Sequence, residues 1–140
     1  MCYHKNMKVK RTKGAVYNLN YHIVWCPKYR RSILTGSIAD RLRQLLKEIA
    51  VQNAFEILAC EVMPDHVHLF VSTPPKYSPF TLAKLFKGIT SHRLHQEFDH
   101  QIRHKIWTPG TLWSPSYYIG TAGNVSSNVI KRYIEECQHI

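Results

Sequence analysis

An α+β fold, a ferredoxin-like βαββαβ antiparallel sheet with its helices on one face plus a C-terminal helix, follows from three observations. Segments with period 2 and period 3.6 alternate in the order strand, helix, strand, strand, helix, strand, with one further helix at the end. The second and third strands are separated only by Pro64-Asp65, a tight turn. Apolar residues make up 44% of 140, which suits one globular domain, 1–140, burying about 70% of its unfolded surface.

Residues 1–14 hold Lys5, Lys8, Lys10, Arg11 and Lys13 and read as a mobile basic arm. Asn18 to Cys26 is the first strand. Tyr21, Ile23 and Trp25 fall on one face and His22, Val24 and Cys26 on the other. Apolar residues on both faces place this strand centrally in its sheet. Pro27 ends it, and Lys28, Tyr29, Arg30 and Arg31 make a basic turn suited to phosphate contacts with a base stacked on the ring. The same cluster also suits a solvated loop.

Ser37 or Asp40 caps the first helix, which runs to about Asn53 with Leu42, Leu45, Leu46 and Ile49 as its apolar stripe. Phe55 to Met63 is the second strand, and the third begins at His66. Pro74-Pro75 and Pro79 bracket a loop. Phe80 to Phe98 is the second helix, burying Leu82, Leu85, Phe86, Ile89 and Leu94. Lys84, Lys87 and Arg93 lie mainly off that stripe and are candidate DNA contacts; His95, His100 and His104 read as surface histidines. Leu112 to Thr121 is the fourth strand. Asn124 or Ser126 caps a final helix, 124–140, whose stripe is Val125, Val129, Tyr133 and Cys137.

A formal net charge of +10, from 19 basic and 9 acidic residues, points to a polyanionic partner, nucleic acid before a membrane surface. Cys2, Cys26, Cys60 and Cys137 form no Cys-x-x-Cys, which argues against a zinc ribbon or redox pair. The N-terminal residues lack the apolar run of a signal peptide and no segment approaches membrane-spanning length, so a cytoplasmic location without a membrane partner is expected.

His66-Val67-His68 carries the chemistry. Residues two apart on a strand share a face, and two imidazoles side by side can grip a divalent ion. Nine His in 140 residues make roughly half of one such pair expected by chance, so neighbours must decide between a metal site and two alternating polar residues. With a two-residue loop, Met63 pairs with His66 and Glu61 with His68, bringing a carboxylate to the same face. A three-residue loop would put Glu61 on the wrong face. Asp65 can orient the His66 ring or serve only as a turn residue. His22, on the neighbouring central strand, is a candidate partner of a ligand or of substrate, or simply a histidine at the edge of the core. Tyr133, on an apolar stripe, reads from its spacing as a core-edge residue.

Three stretches in this order, Tyr21-His22-Ile23-Val24-Trp25-Cys26-Pro27-Lys28-Tyr29-Arg30-Arg31, Pro64-Asp65-His66-Val67-His68 and Tyr133-Ile134-Glu135-Glu136, together resemble the single-tyrosine HUH transposases, the TnpA type of small bacterial and archaeal insertion sequences. The resemblance spans roughly Ala15 to Gln138. It implies a homodimer that cuts and rejoins single-stranded DNA at element ends marked by hairpins, using Mg²⁺ or Mn²⁺. By the same resemblance His66 and His68 are the metal pair and Tyr133 is the nucleophile, leaving a 5′-phosphotyrosine. A phenol ordinarily ionises near pH ~10, so the metal or a base must help it. Family members usually carry a Gln one helical turn after the tyrosine. Cys137 stands there and Gln138 one step further, about 100° around the helix. Either Gln138 joins the metal site or Glu61 takes its place. That departure favours one alternative, a decayed or domesticated relative that only binds DNA hairpins; a further alternative is a related HUH enzyme that nicks repeats or replication origins.

Overall fold

The computed structural model describes residues 9–106, 111–121 and 132–135. Its sheet has four strands, β3 (Asn20–Trp25), β4 (Glu56–Met63), β5 (His66–Ser72) and β6 (Tyr118–Thr121), in the order β4-β5-β3-β6 with every neighbouring pair antiparallel. Two helices, α1 (Gly36–Gln52) and α2 (Pro79–Lys105), connect them. This is the split βαβ arrangement expected from the order of elements, with the first of these strands at the centre beside the third.

Both faces of β3 are closed, as its apolar content suggested. Ile23 and Trp25 on β3 and Val67, Leu69 and Val71 on β5 join Leu42, Leu45, Leu46 and Ile49 of α1 and Leu82, Phe86, Leu94 and Ile102 of α2 in one core. Each such side chain, fully removed from water, stabilises the fold by about 1.5–3 kcal/mol. Trp25 lies between Phe86 and Trp113, with ring centroids 6.5 and 5.9 Å away. Trp113 Nε1 donates to the buried Thr90 hydroxyl at 3.0 Å, and that hydroxyl donates to the Phe86 carbonyl at 2.6 Å.

Five boundaries differ from the sequence reading, each for a local reason. Part of the basic arm is a hairpin, β1 (Lys10–Thr12) with β2 (Ala15–Tyr17), closed by Lys13-Gly14. Lys-Gly is a weak hairpin signal beside Asn-Gly or Asp-Gly, and the run of charge masked it. Lys10 is tied to Glu56 at 3.0 Å; residues 1–8 lie outside the described part. The first helix begins earlier, after Thr35, so neither Ser37 nor Asp40 caps it; the chain enters through Gly36 at φ 55°, a left-handed geometry that favours glycine. The second helix starts at Pro79, with the Ser78 hydroxyl accepting from the Thr81 amide at 3.1 Å, and continues past a break at Phe98 (φ −130°) where the apolar period had ended it. The fourth strand is only Tyr118–Thr121: residues 112–114 instead run beside the end of β3, through Lys28 N to Leu112 O (2.8 Å) and Ser114 N to Cys26 O (2.9 Å), and Pro115, which has no amide hydrogen, divides the two stretches. Of the final helix, Arg132–Glu135 are helical; Asn124, Ser126, Cys137 and Gln138 lie outside the described residues. Among the described residues no helix is long and apolar enough to cross a membrane.

Candidate metal centre and nucleophile

The turn at Pro64-Asp65 sets the site. Met63 pairs with His66 and Glu61 with His68, so the loop has two residues and the carboxylate shares the imidazoles' face. A register shift between Ile57 and Ala59 lies farther back on β4, away from the hairpin end. Val67, Leu69 and Val71 point into the core, which aims His66 and His68 away from it by the period of the strand.

Each imidazole is held through Nδ1. His66 Nδ1 lies 2.7 Å from Asp65 Oδ1. His68 Nδ1 lies 3.1 Å from His22 Nε2, across the β3–β5 pair. The His66 and His68 ring centroids are 4.9 Å apart. With Nδ1 engaged in both rings, Nε2 is the atom each can offer a metal, an arrangement in which the partner of the first nitrogen fixes tautomer and orientation. His22 is 2% exposed and stacks on Phe70 at 4.0 Å. Burial, and secondarily the nearby His68, lowers its pKa to about 4. Burial, then His66, also lowers that of His68, while Glu61 opposes the shift. Both therefore favour the neutral imidazole, the form that ligates metal. His22 Nδ1 is buried and without a hydrogen-bond partner among the described residues.

Among the described residues no group of three or more His, Cys, Asp or Glu comes together as a metal cage. Glu61 thus shares the face and lies opposite His68, yet its carboxylate does not converge with both rings. The donor set present fits a divalent ion at two imidazoles, with the remaining positions left to Glu61, to residues outside those described, or to substrate and water.

Tyr133 is half-buried on the helical turn Arg132–Glu135. Its hydroxyl accepts from the Ser116 hydroxyl at 3.4 Å. Ser116 lies on the stretch after Pro115, and that stretch is clamped by Lys87, whose Nζ donates to the carbonyls of Ser114 (2.9 Å) and Ser116 (3.0 Å) and sits 5.5 Å from the Tyr117 ring.

The candidate DNA contacts divide. Tyr29 and Arg31 are exposed, with the Lys28 ammonium 5.2 Å from the Tyr29 ring. Arg30 turns inward: its Nε pairs with Asp65 Oδ2 at 3.0 Å and its Nη1 donates to the Ile134 carbonyl at 3.4 Å. Lys84 is exposed over Phe80, at the edge of a groove of about 450 Å³ that Trp113 and Tyr117 also line. Lys87 is spent on the Ser114–Ser116 carbonyls and Arg93 pairs with Glu97 at 3.6 Å. His100 and His104 are exposed as expected, whereas His95 is half-buried with Nε2 enclosed. The inward role of Arg30, the clamp of Lys87 and the contact of Ser116 escaped the sequence reading; a basic residue in a basic turn carries no mark of which way it faces.

Comparison with known proteins agrees with this geometry. The family model described as "Transposase IS200 like" matches residues 15–137. The ISDra2 transposase TnpA of Deinococcus radiodurans is 41% identical over 133 residues, covering 95% of this chain and 93% of that one. A transposase for insertion sequence element IS200 from Salmonella typhimurium is 30% identical over 124 residues, covering 86% and 80%. The crystal structure of a candidate transposase from Deinococcus radiodurans R1 superposes with a TM-score of 0.82 at 38% identity, covering 91% of this chain and 97% of that one. A REP-associated tyrosine transposase bound to a REP hairpin shares the fold, with a TM-score of 0.56 at 18% identity over 94% of this chain and 74% of that one. Enzymes of this family are metal-dependent. A four-stranded sheet of the expected order, a histidine pair held through Nδ1 and a tyrosine on a separate helical turn thus meet in a chain that belongs to the IS200-like transposase family, a tyrosine transposase and DNA strand transferase.

Proposed function

We propose that this chain cleaves and rejoins single-stranded DNA at hairpin-bearing ends, acting in the cytoplasm as a homodimer, with Tyr133 as nucleophile and His66 and His68 as ligands of Mg²⁺ or Mn²⁺. Either Gln138 or, in its place, Glu61 is the residue assigned to complete the metal site, and His22 and Asp65 hold the two imidazoles. The observation that carries the reading is the engagement of both imidazoles through Nδ1, which leaves Nε2 of each for one ion.

A divalent ion held by His66 and His68 would supply Lewis acidity to the scissile phosphate and would offset the charge that develops there. The Tyr133 oxygen attacks phosphorus, the bond to the 3′ oxygen breaks, and a 5′-phosphotyrosine and a free 3′-OH result. The phosphodiester is exchanged and not hydrolysed, so a second 3′-OH can reverse the attack and join new ends without ATP. Ser116 donates toward the phenol oxygen and so orients it. Joining two ends calls for two tyrosines, which a dimer supplies. Lys28, Tyr29, Arg31 and Lys84 are the outward basic and aromatic groups best suited to the DNA backbone and stacked bases.

The test is a covalent adduct between the full chain and a hairpin-bearing single-stranded oligonucleotide in Mn²⁺. Adduct is expected with the native chain, and none with Tyr133→Phe or with chelator. A chain that binds the hairpin with steep salt dependence yet forms no adduct is the binding-only relative; adduct surviving in Tyr133→Phe overturns the nucleophile assignment.

A further inference from the structure

We propose that Arg30 is a positioning residue that ties the seating of the Tyr133 helical turn to the aim of the metal ligand His66, through Asp65. The proposal rests on the metal-site reading above and extends it. A continuous path of contacts joins the two halves of the reaction centre: the Ile134 carbonyl accepts from Arg30 Nη1 (3.4 Å), Arg30 Nε meets Asp65 Oδ2 (3.0 Å), and Asp65 Oδ1 meets His66 Nδ1 (2.7 Å). Asp65 uses one oxygen for each neighbour. It can hold the His66 ring only while its own rotamer is held, and Arg30 holds it. Ile134 follows Tyr133 directly, so the other end of the same guanidinium reports where the nucleophile's turn sits.

The backbone favours this assignment over a phosphate contact. Tyr29 and Arg30 both have left-handed geometry, at φ 58° and 53°. Such geometry is unfavourable for residues with a Cβ and persists where surroundings enforce it. The Arg30 side chain is only 27% exposed, whereas Tyr29 and Arg31 face solvent. A guanidinium suits the task because its fork of donors serves two acceptors at once, which an ammonium on a flexible stem does not do with fixed geometry. A contact that favours one arrangement at both ends couples them reciprocally: metal at His66 favours the seated turn, and the seated turn favours metal.

The experiment is a Mn²⁺ titration of the DNA-free full chain by electron paramagnetic resonance, with hydrogen exchange of residues 132–135 measured with and without Mn²⁺. The native chain is expected to gain protection at residues 132–135 on binding Mn²⁺. Arg30→Gln is expected to weaken Mn²⁺ binding about tenfold, as loss of a ligand's supporting partner does, and to abolish that gain. Asp65→Asn should weaken binding similarly, with the double variant little worse than either single one, the mark of a shared path. Arg30→Lys, which keeps the charge beside Asp65, should bind Mn²⁺ within about threefold of native yet lose the protection. Native Mn²⁺ affinity and native protection in Arg30→Gln overturn the proposal. So does a loss that a parallel hairpin-binding titration confines to hairpin affinity and its salt slope, which makes Arg30 a phosphate contact. Mn²⁺ binding by the native chain that is indifferent to His66→Ala overturns the metal reading itself and this proposal with it.

Discussion

The two faces of β5 are built from alternate residues of the same seven, His66–Ser72, and have opposite characters. Val67, Leu69 and Val71 are fully buried beneath α1 and α2. His66 and His68 are half-buried and held by polar partners through one nitrogen each. The first face is finished by its own chain: every contact it needs is apolar and internal. The second is arranged for something to be added. The difference teaches that stability and chemistry share one strand here without competing, because they occupy opposite sides of a period of two.

The sharpest way to break the comparison is to remove the proposed nucleophile. Tyr133→Phe should abolish adduct formation while the melting temperature, followed by circular dichroism, moves by no more than a few degrees. Next comes the pair of neighbours. Leu69→Ala should cost about 2–5 kcal/mol of stability in urea unfolding, with Mn²⁺ affinity preserved in whatever fraction stays folded. His68→Ala should do the reverse: Mn²⁺ binding lost by calorimetry, stability changed by about 1 kcal/mol or less. Equal phenotypes for the two would end the distinction between the faces. A smaller effect is expected at the clamp. Lys87→Met leaves the Ser114 and Ser116 carbonyls without their cationic donor and should slow single-turnover adduct formation about tenfold, with Ser116→Ala slowing it about threefold, if a charge-assisted and a neutral hydrogen bond are worth their usual amounts.

Acid gives the mildest probe. The folded pKa of His22 is about 4 against an ordinary 6.5, chiefly through burial. The unfolded chain therefore takes up a proton that the folded chain refuses. Stability that is complete above pH 6.5 is lost as pH falls toward 4. The metal-free protein should melt several degrees lower at pH 4.5 than at pH 7, and His22→Phe should flatten that part of the profile. A native-like slope in His22→Phe would show that another group carries the acid sensitivity.

Much of the molecule was legible because its signals are local and repeated. The period-2 runs from Asn20 and His66, the stripe Leu42-Leu45-Leu46-Ile49 and the two-residue turn at Pro64-Asp65 each follow from side-chain direction alone. From them came the strand order, and from the strand order the approach of His22 to His68. The pairing of Glu61 with His68 followed by counting, but whether its carboxylate bends in to meet both rings depends on rotamer and exposure, which no spacing encodes. The fourth strand was overextended because Leu112 and Trp113 look like strand residues. They do form ladder bonds, to Lys28 and through Ser114 to Cys26, but Pro115 separates them from β6. Composition gives charge without direction, so nothing in the sequence marks Arg30 and Lys87 as turned toward partners within the chain.

The alternation of β5 has one more consequence. Slipping His66–Ser72 by a single position against its neighbours would drive both imidazoles in among Trp25, Leu46 and Phe86 and turn Val67 and Leu69 out to water. Such a chain could not close its interior. Folding therefore acts as a proofreader for that face: a molecule that has packed correctly has, by that fact, both imidazoles turned away from its core, and a mis-set one does not reach the folded state.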